Sequence, residues 1–178
     1  MDPTKRKGIQ KFAEEMFNYL QVQIPVDAKE VAKKDLGGEV FETKTELPEE
    51  IDAKIDKKGD SFRITINVNN LNTRNNFSIA HELGHLFLHM GYLVNPERWK
   101  SINKYTDSVY YRFGIEEEEL EANEFAAAFL MPEKEYHQSV KDFTKNGWCK
   151  IADVASRFNV SKEAALNRGR WLGIFPWE

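Results

Sequence analysis

The chain has 178 residues, 41% of them hydrophobic and 30% charged, and its 25 Lys plus Arg against 29 Asp plus Glu give a formal net charge of -4. That length buries roughly 70% of the unfolded surface around one core without help from disulfides, and the acidic balance argues against nucleic-acid binding except through a local patch. Cys149 is the only cysteine, no run approaches the ~20 apolar residues of a membrane span, and the N-terminal MDPTKRKGIQ lacks the apolar stretch of a signal peptide, so a soluble cytoplasmic protein is expected.

In chain order, Ile9, Phe12, Ala13, Met16, Phe17 and Leu20 recur at helical spacing and predict an amphipathic first helix, ended by Pro25. Asp27 with Glu30 has the form of a capping box, predicting a short helix to about Lys34 that Gly37 and Gly38 break. Ile51, Ala53 and Ile55 alternate, KKGD offers a turn, and Phe62, Ile64, Ile66 and Val68 alternate again, which predicts an antiparallel hairpin. From Ser78 to Met90 the spacing becomes helical, with Ile79, Leu83, Leu86 and Phe87 toward a core, His81 and His85 on another face, and Asn75 or Asn76 as N-cap. Gly91 to Gly114 is irregular and rich in aromatics, a loop length that is either functional or disordered. IEEEELEANEFAAAFLM predicts a strong helix stopped by Pro132, which can open another containing Tyr136, Val140 and Phe143. The last stretch reads as two short helices about a tight turn, Ser161 capping the second. The expected organisation is a main domain over 1–146 and a small helix-turn-helix-like segment over 147–178.

HELGH, residues 81 to 85, carries the chemistry. Two histidines four apart stand on one helical face about 6 Å apart along the axis, within reach of one ion. A catalytic zinc takes three protein ligands and leaves one position open for a water, whose pKa it lowers to ~7. His81 and His85 suit two of those positions, and Glu82 is placed to accept the proton of the bound water. Gly84 implies that something packs closely there, since glycine inside a helix costs ~1 kcal/mol. A third ligand has to come from elsewhere, and the helix after residue 115 is rich in carboxylates. Glu119 lies on one stripe with Ala122, Asn123, Ala126 and Leu130, whose small residues admit another helix, and Asn123 could hydrogen-bond a ligand histidine from behind. Glu118 is about 100° off that stripe and stays open; Glu121 points roughly 200° away from Glu119 and is the weaker candidate. Glu116 and Glu117 read as a solvated first turn facing the helix dipole. Two imidazoles and a carboxylate are not selective in themselves, so manganese or another divalent ion also fits.

AHELGHLFLH followed by ELEANEFAAAFLMP resembles the ImmA/IrrE family of zinc-dependent metallopeptidases, whose pattern is HExxH, then ExxAN or ExxAD, FA and an apolar stretch closing in MP. The resemblance runs from about Phe62 to Pro132 and more weakly through VSKEAALNR; Phe129 and Leu130 stand where the family often has LL. It implies an α+β, zincin-like core of gluzincin type, with a small antiparallel sheet packed on the HExxH helix and on a glutamate-bearing helix. It implies His81, His85 and Glu119 as zinc ligands and Glu82 as catalytic base. It further implies regulatory proteolysis: cleavage or relief of a helix-turn-helix repressor that switches on genes in bacteria, phages and mobile elements. Nothing after Glu178 leaves room for the sensor domain of the radiation-response members, so the stand-alone, mobile-element type is expected.

Other features keep two readings. His89 lies about 12 Å along the axis from His81, too far to share its ion, and is expected to pack or to support a ligand. The strand at Phe62 to Asn69 is either a core strand or, at a sheet edge, a partner for extended substrate. Tyr105, Tyr110, Tyr111, Tyr136 and His137 are candidate oxyanion donors. The C-terminal helices, with Lys162, Asn167, Arg168 and Arg170, fit either partner docking or a helix-turn-helix on DNA. The alternative to proteolysis is an antirepressor that sequesters the repressor without cutting it. The sequence leaves the oligomeric state open.

Overall fold

The computed structural model describes residues 1–47, 51–68, 72–102 and 116–177. Helix α1 (Pro3–Tyr19) opens with Asp2 accepting hydrogen bonds from the Thr4 and Lys5 amides, and it ends at Tyr19, before Pro25. Asp27 accepts from the Glu30 amide and caps α2 (Ala28–Glu30), which runs on as a π turn over Val31–Asp35. Only half of the expected capping box forms, because the Glu30 carboxylate pairs with Lys34 instead.

The expected hairpin is present as β2 (Ala53–Lys58) and β3 (Ser61–Asn67), antiparallel with Ile55 opposite Ile64. A further strand, β1 (Glu39–Thr43), lies parallel to β3, so the sheet has the order β1-β3-β2 and is mixed rather than purely antiparallel. This corrects the edge-strand reading of Phe62 to Asn69: β3 is central, with Phe62, Ile64, Thr65 and Ile66 all buried, and the edge strand of the hairpin is β2.

Helix α3 (Asn72–Gly84) packs on β2 and β3 and continues as a π turn over His85–His89, closed by the Met90 amide on the His85 carbonyl at 2.9 Å. Neither Asn75 nor Asn76 caps it, since both lie inside the helix. Asn76 is buried and serves the neighbouring chain instead, accepting from the Ala28 amide at 2.9 Å and donating to the Val26 carbonyl at 3.0 Å. Within the described part of the 91–114 stretch, α4 (Pro96–Ser101) is capped by Asn95, and the Tyr92 hydroxyl donates to the Leu36 carbonyl at 2.8 Å.

Helix α5 (Glu116–Leu130) packs against both α1 and α3. Phe12, Phe87, Phe125 and Phe129 meet in this seam, with ring centroids 5.6 to 6.2 Å apart. Pro132 caps α6 (Glu133–Asp142), and a two-residue ribbon of β4 (Thr144–Lys145) with β5 (Trp148–Cys149) leads into α7 (Ile151–Phe158). Asn159 turns the chain with φ at 52°, and Ser161 accepts from the Ala164 amide at the start of α8 (Lys162–Trp171). These last helices are tied to the rest: Tyr136 donates to the Ala165 carbonyl, and the buried Arg168 donates from Nε to the Met131 carbonyl at 3.1 Å. No described helix is long and apolar enough to cross a membrane.

Candidate metal centre

HELGH falls on the last turn of α3 and the first residue of the π turn, against the middle of α5. Contact is close because Gly84 faces Ala122. A Cβ at Gly84 would lie 2.9 Å from the Ala122 Cα and 3.0 Å from its carbonyl oxygen, so only glycine allows this helix spacing. Ala122 and Ala126 are fully buried on that face of α5, one turn apart.

The close approach brings three donors to one point. His81 Nε2 and His85 Nε2 are 3.0 Å apart, and Glu119 places Oε2 3.2 Å from the former and Oε1 3.3 Å from the latter. Tetrahedral ligands at ~2.0–2.1 Å from zinc stand about 3.3–3.4 Å from one another, so the spacing fits one such ion. The surroundings fit too: His85 is fully buried, and the buried Glu119 Oε2 finds no hydrogen bond despite its nearness to His81. Burial pushes the Glu119 carboxyl up, but the adjoining His81 and His85 outweigh it and hold the group well below the usual carboxylate range, in its ligating form. The arrangement can bind a divalent metal ion.

Each histidine is held from behind. Asn123, one turn beyond Glu119, places Oδ1 3.0 Å from His81 Nδ1. His85 Nδ1 lies 2.9 Å from His89 Nδ1, and His89 Nε2 lies 3.3 Å from Glu121 Oε2, while the other oxygen of Glu121, Oε1, pairs with Lys5 of α1. Burial first, and then the charge of His85, push the His89 imidazole down to about 4, so it is neutral at ordinary pH and can accept one proton contact while donating the other. Glu118 joins His85 and His89 on this far side, where their ligating atoms lie within 4.8 Å of one another. Thus Glu119 faces the His81–His85 pair, and Glu121 serves the supporting chain. Helical phase separates the two glutamates, but Lys5, far off in sequence, gave no signal.

Glu82, 3% exposed, lines a cleft of about 220 Å³ with His81, Asn123, Ser78 and Phe77 of the helices and Ala53 at the start of β2. A carboxylate and one donor of the metal cluster therefore face the same opening. Of the candidate oxyanion donors, Tyr136 is buried on the Ala165 carbonyl and His137 pairs with Glu133 at 3.8 Å, so neither faces the cleft; Tyr105, Tyr110 and Tyr111 lie outside the described residues.

A mixed sheet carrying an HExxH helix crossed by a glutamate-bearing helix defines a zincin-like α+β protein. Residues 34–169 match the model of the M78 peptidase family, described as the IrrE N-terminal-like domain, and the chain belongs to that family. Among solved structures it is similar to a Mycobacterium tuberculosis transcriptional regulator, with 20% identity and a TM-score of 0.61 over 91% of this chain and 46% of that one. At that identity the likeness is one of fold, and this chain spans less than half of that protein's length. No curated protein matches.

Proposed function

We propose that the protein is a zinc-dependent endopeptidase that cleaves a helix-turn-helix transcriptional repressor and so derepresses genes, in the setting of a phage or other mobile element and in the cytoplasm where such a repressor works. The observation that carries this reading is the convergence of His81, His85 and Glu119 on one point, beside a cleft that Glu82 lines. In it, His81, His85 and Glu119 hold the metal, and Asn123 and His89 orient the imidazoles from behind. Zinc held there supplies a Lewis acid for the scissile carbonyl and an acidified water as nucleophile. Glu82 takes the proton of the attacking water and passes it to the departing amine. Among the described residues, β2 has one side without a strand partner, and Ala53 brings its start to the cleft, so an extended substrate lies along that edge.

Residues 147–178 serve in this proposal as an appendage that docks the repressor rather than DNA, in keeping with the net charge of -4. The neighbour's name as a transcriptional regulator supports a regulatory setting. The test compares the wild type, Glu82→Gln and Glu119→Ala for metal content and for cutting of a candidate repressor. Expected are one zinc per chain in the first two, much less in Glu119→Ala, and cleavage by the wild type alone. Relief of repression that survives Glu82→Gln would establish sequestration instead.

A further inference from the structure

Beside the cleft lies a larger cavity of about 610 Å³, walled by Phe77 and Ser78 of α3, Leu120 and Asn123 of α5, and Trp171 of α8. Phe77, Ser78, Asn123 and Asp52 line both spaces, so the cavity continues the groove that starts at Glu82. Its wall is mainly apolar, yet three arginines line it, Arg6, Arg74 and Arg168, together with the acidic Asp52, Glu124 and Glu163.

Arg168 is 1% exposed, and its Nη1 and Nη2 have no hydrogen-bond acceptor. The nearest carboxylates, Glu14 and Glu124, are 3.7 Å away, beyond hydrogen-bond range. Both are engaged elsewhere: Glu14 accepts from the Glu133 amide at 2.8 Å and Glu124 from Gln10 at 2.6 Å. Arg6 Cζ lies over the Trp171 ring, 3.2 Å from its centroid, and its buried Nε, 3.3 Å from Glu124, also lacks a hydrogen bond. Of the other acidic groups lining the cavity, Asp52 is paired with Arg74 at 2.7 Å and Glu163 is exposed to solvent. Two cations therefore stand against two carboxylates that are both occupied, with nitrogen donors left over on each cation. Buried donors without acceptors are costly, and guanidinium groups bind carboxylates with paired, charge-assisted hydrogen bonds.

The geometry points to this cavity as a specificity subsite of the groove, taking from the polypeptide substrate a segment that sets an apolar side chain on Phe77, Leu120 and Trp171 and an aspartate or glutamate carboxylate between Arg6 and Arg168. This rests on the endopeptidase reading for its substrate, though not for its binding chemistry.

The experiment uses the zinc-loaded 178-residue chain and internally quenched, capped peptide pools in which one position at a time is fixed as Glu, Gln, Lys or Leu. At one position the wild type should prefer Glu to Gln in kcat/KM by about tenfold or more, the effect of a charge-assisted hydrogen bond. The preference should fall toward unity in Arg6→Gln, which keeps the Nε contact of Arg168 with the chain, and in Arg168→Lys. If no pool is cut, the same peptides carrying fluorescein are read by anisotropy. Glu-selective binding lost in Arg6→Gln would retain the subsite while the proteolytic reading falls. Equal treatment of Glu and Gln by both readouts, or a preference untouched by both substitutions, overturns the proposal. So does glutarate raising the Tm of the wild type but not of Arg6→Gln with no Glu preference among peptides, an outcome that assigns the site to a free organic acid.

Discussion

Gly84 and His89 show how single residues set the candidate metal cluster. Alanine at 84 gains about 1 kcal/mol of helix propensity, but its Cβ would meet the Ala122 backbone at 2.9 to 3.0 Å, where no flexible side chain can give way. Overpacking of that kind costs roughly 1–3 kcal/mol and wins. Gly84→Ala should lower the midpoint of urea unfolding and, by pushing α5 outward with Glu119, weaken zinc binding in a chelator competition. His89 acts through hydrogen bonds. With His85 Nε2 turned to a metal, its Nδ1 carries the proton and needs the acceptor that His89 Nδ1 provides at 2.9 Å. His89→Ala should weaken zinc about 10- to 100-fold, the usual effect of losing such support, while far-ultraviolet circular dichroism stays as in the wild type; unchanged affinity would reduce His89 to packing. The cluster residues were legible because their types and spacing are themselves the chemistry. Arg168 was legible only as part of a basic face and Arg6 not at all, since guanidinium nitrogens left buried without acceptors arise only from tertiary packing.

At the scale of elements, the helices with apolar periodicity were readable, and the misses have physical causes. β1 reads EVFET with one buried residue, so it carries no alternation; its place comes from parallel pairing with β3. α3 begins at Asn72 because NTRNN is helical without being apolar, held in part by Asn76 reaching Val26 and Ala28. The π turn at His85–His89 breaks the 3.6-residue repeat that periodicity assumes. The turn at Asn159 and the cap at Ser161 follow local chemistry and were foreseeable. Ser161→Ala removes the acceptor of the Ala164 amide at 3.0 Å and should cost about 1 kcal/mol in chemical denaturation. A loss far below that would mean that α8 is held almost wholly by Arg168 and the Tyr136 hydroxyl.

For the molecule as a whole, a metal bound by residues of α3, the π turn and α5 links elements separated by the entire 91–114 stretch. Binding to the folded state alone stabilises it by mass action, about 2.7 kcal/mol at a free concentration one hundred times Kd. Adding zinc to chelator-stripped protein should therefore raise Tm, and Glu119→Ala should respond much less at the same concentration. Equal responses would place the bound ion elsewhere.

Lys5 stands in α1, ahead of the stretch 34–169 that is shared with the family, and its charge closes the series Glu121, His89, His85. The same helix brings Phe12 onto Phe87 and Phe125, and Arg6 onto Trp171. The portion recognisable by descent and the portion that completes the working parts thus have different borders. Grafted onto a foreign chain, residues 34–169 would carry the three candidate metal donors with them but leave behind the cation at the end of their support and one wall of the neighbouring cavity.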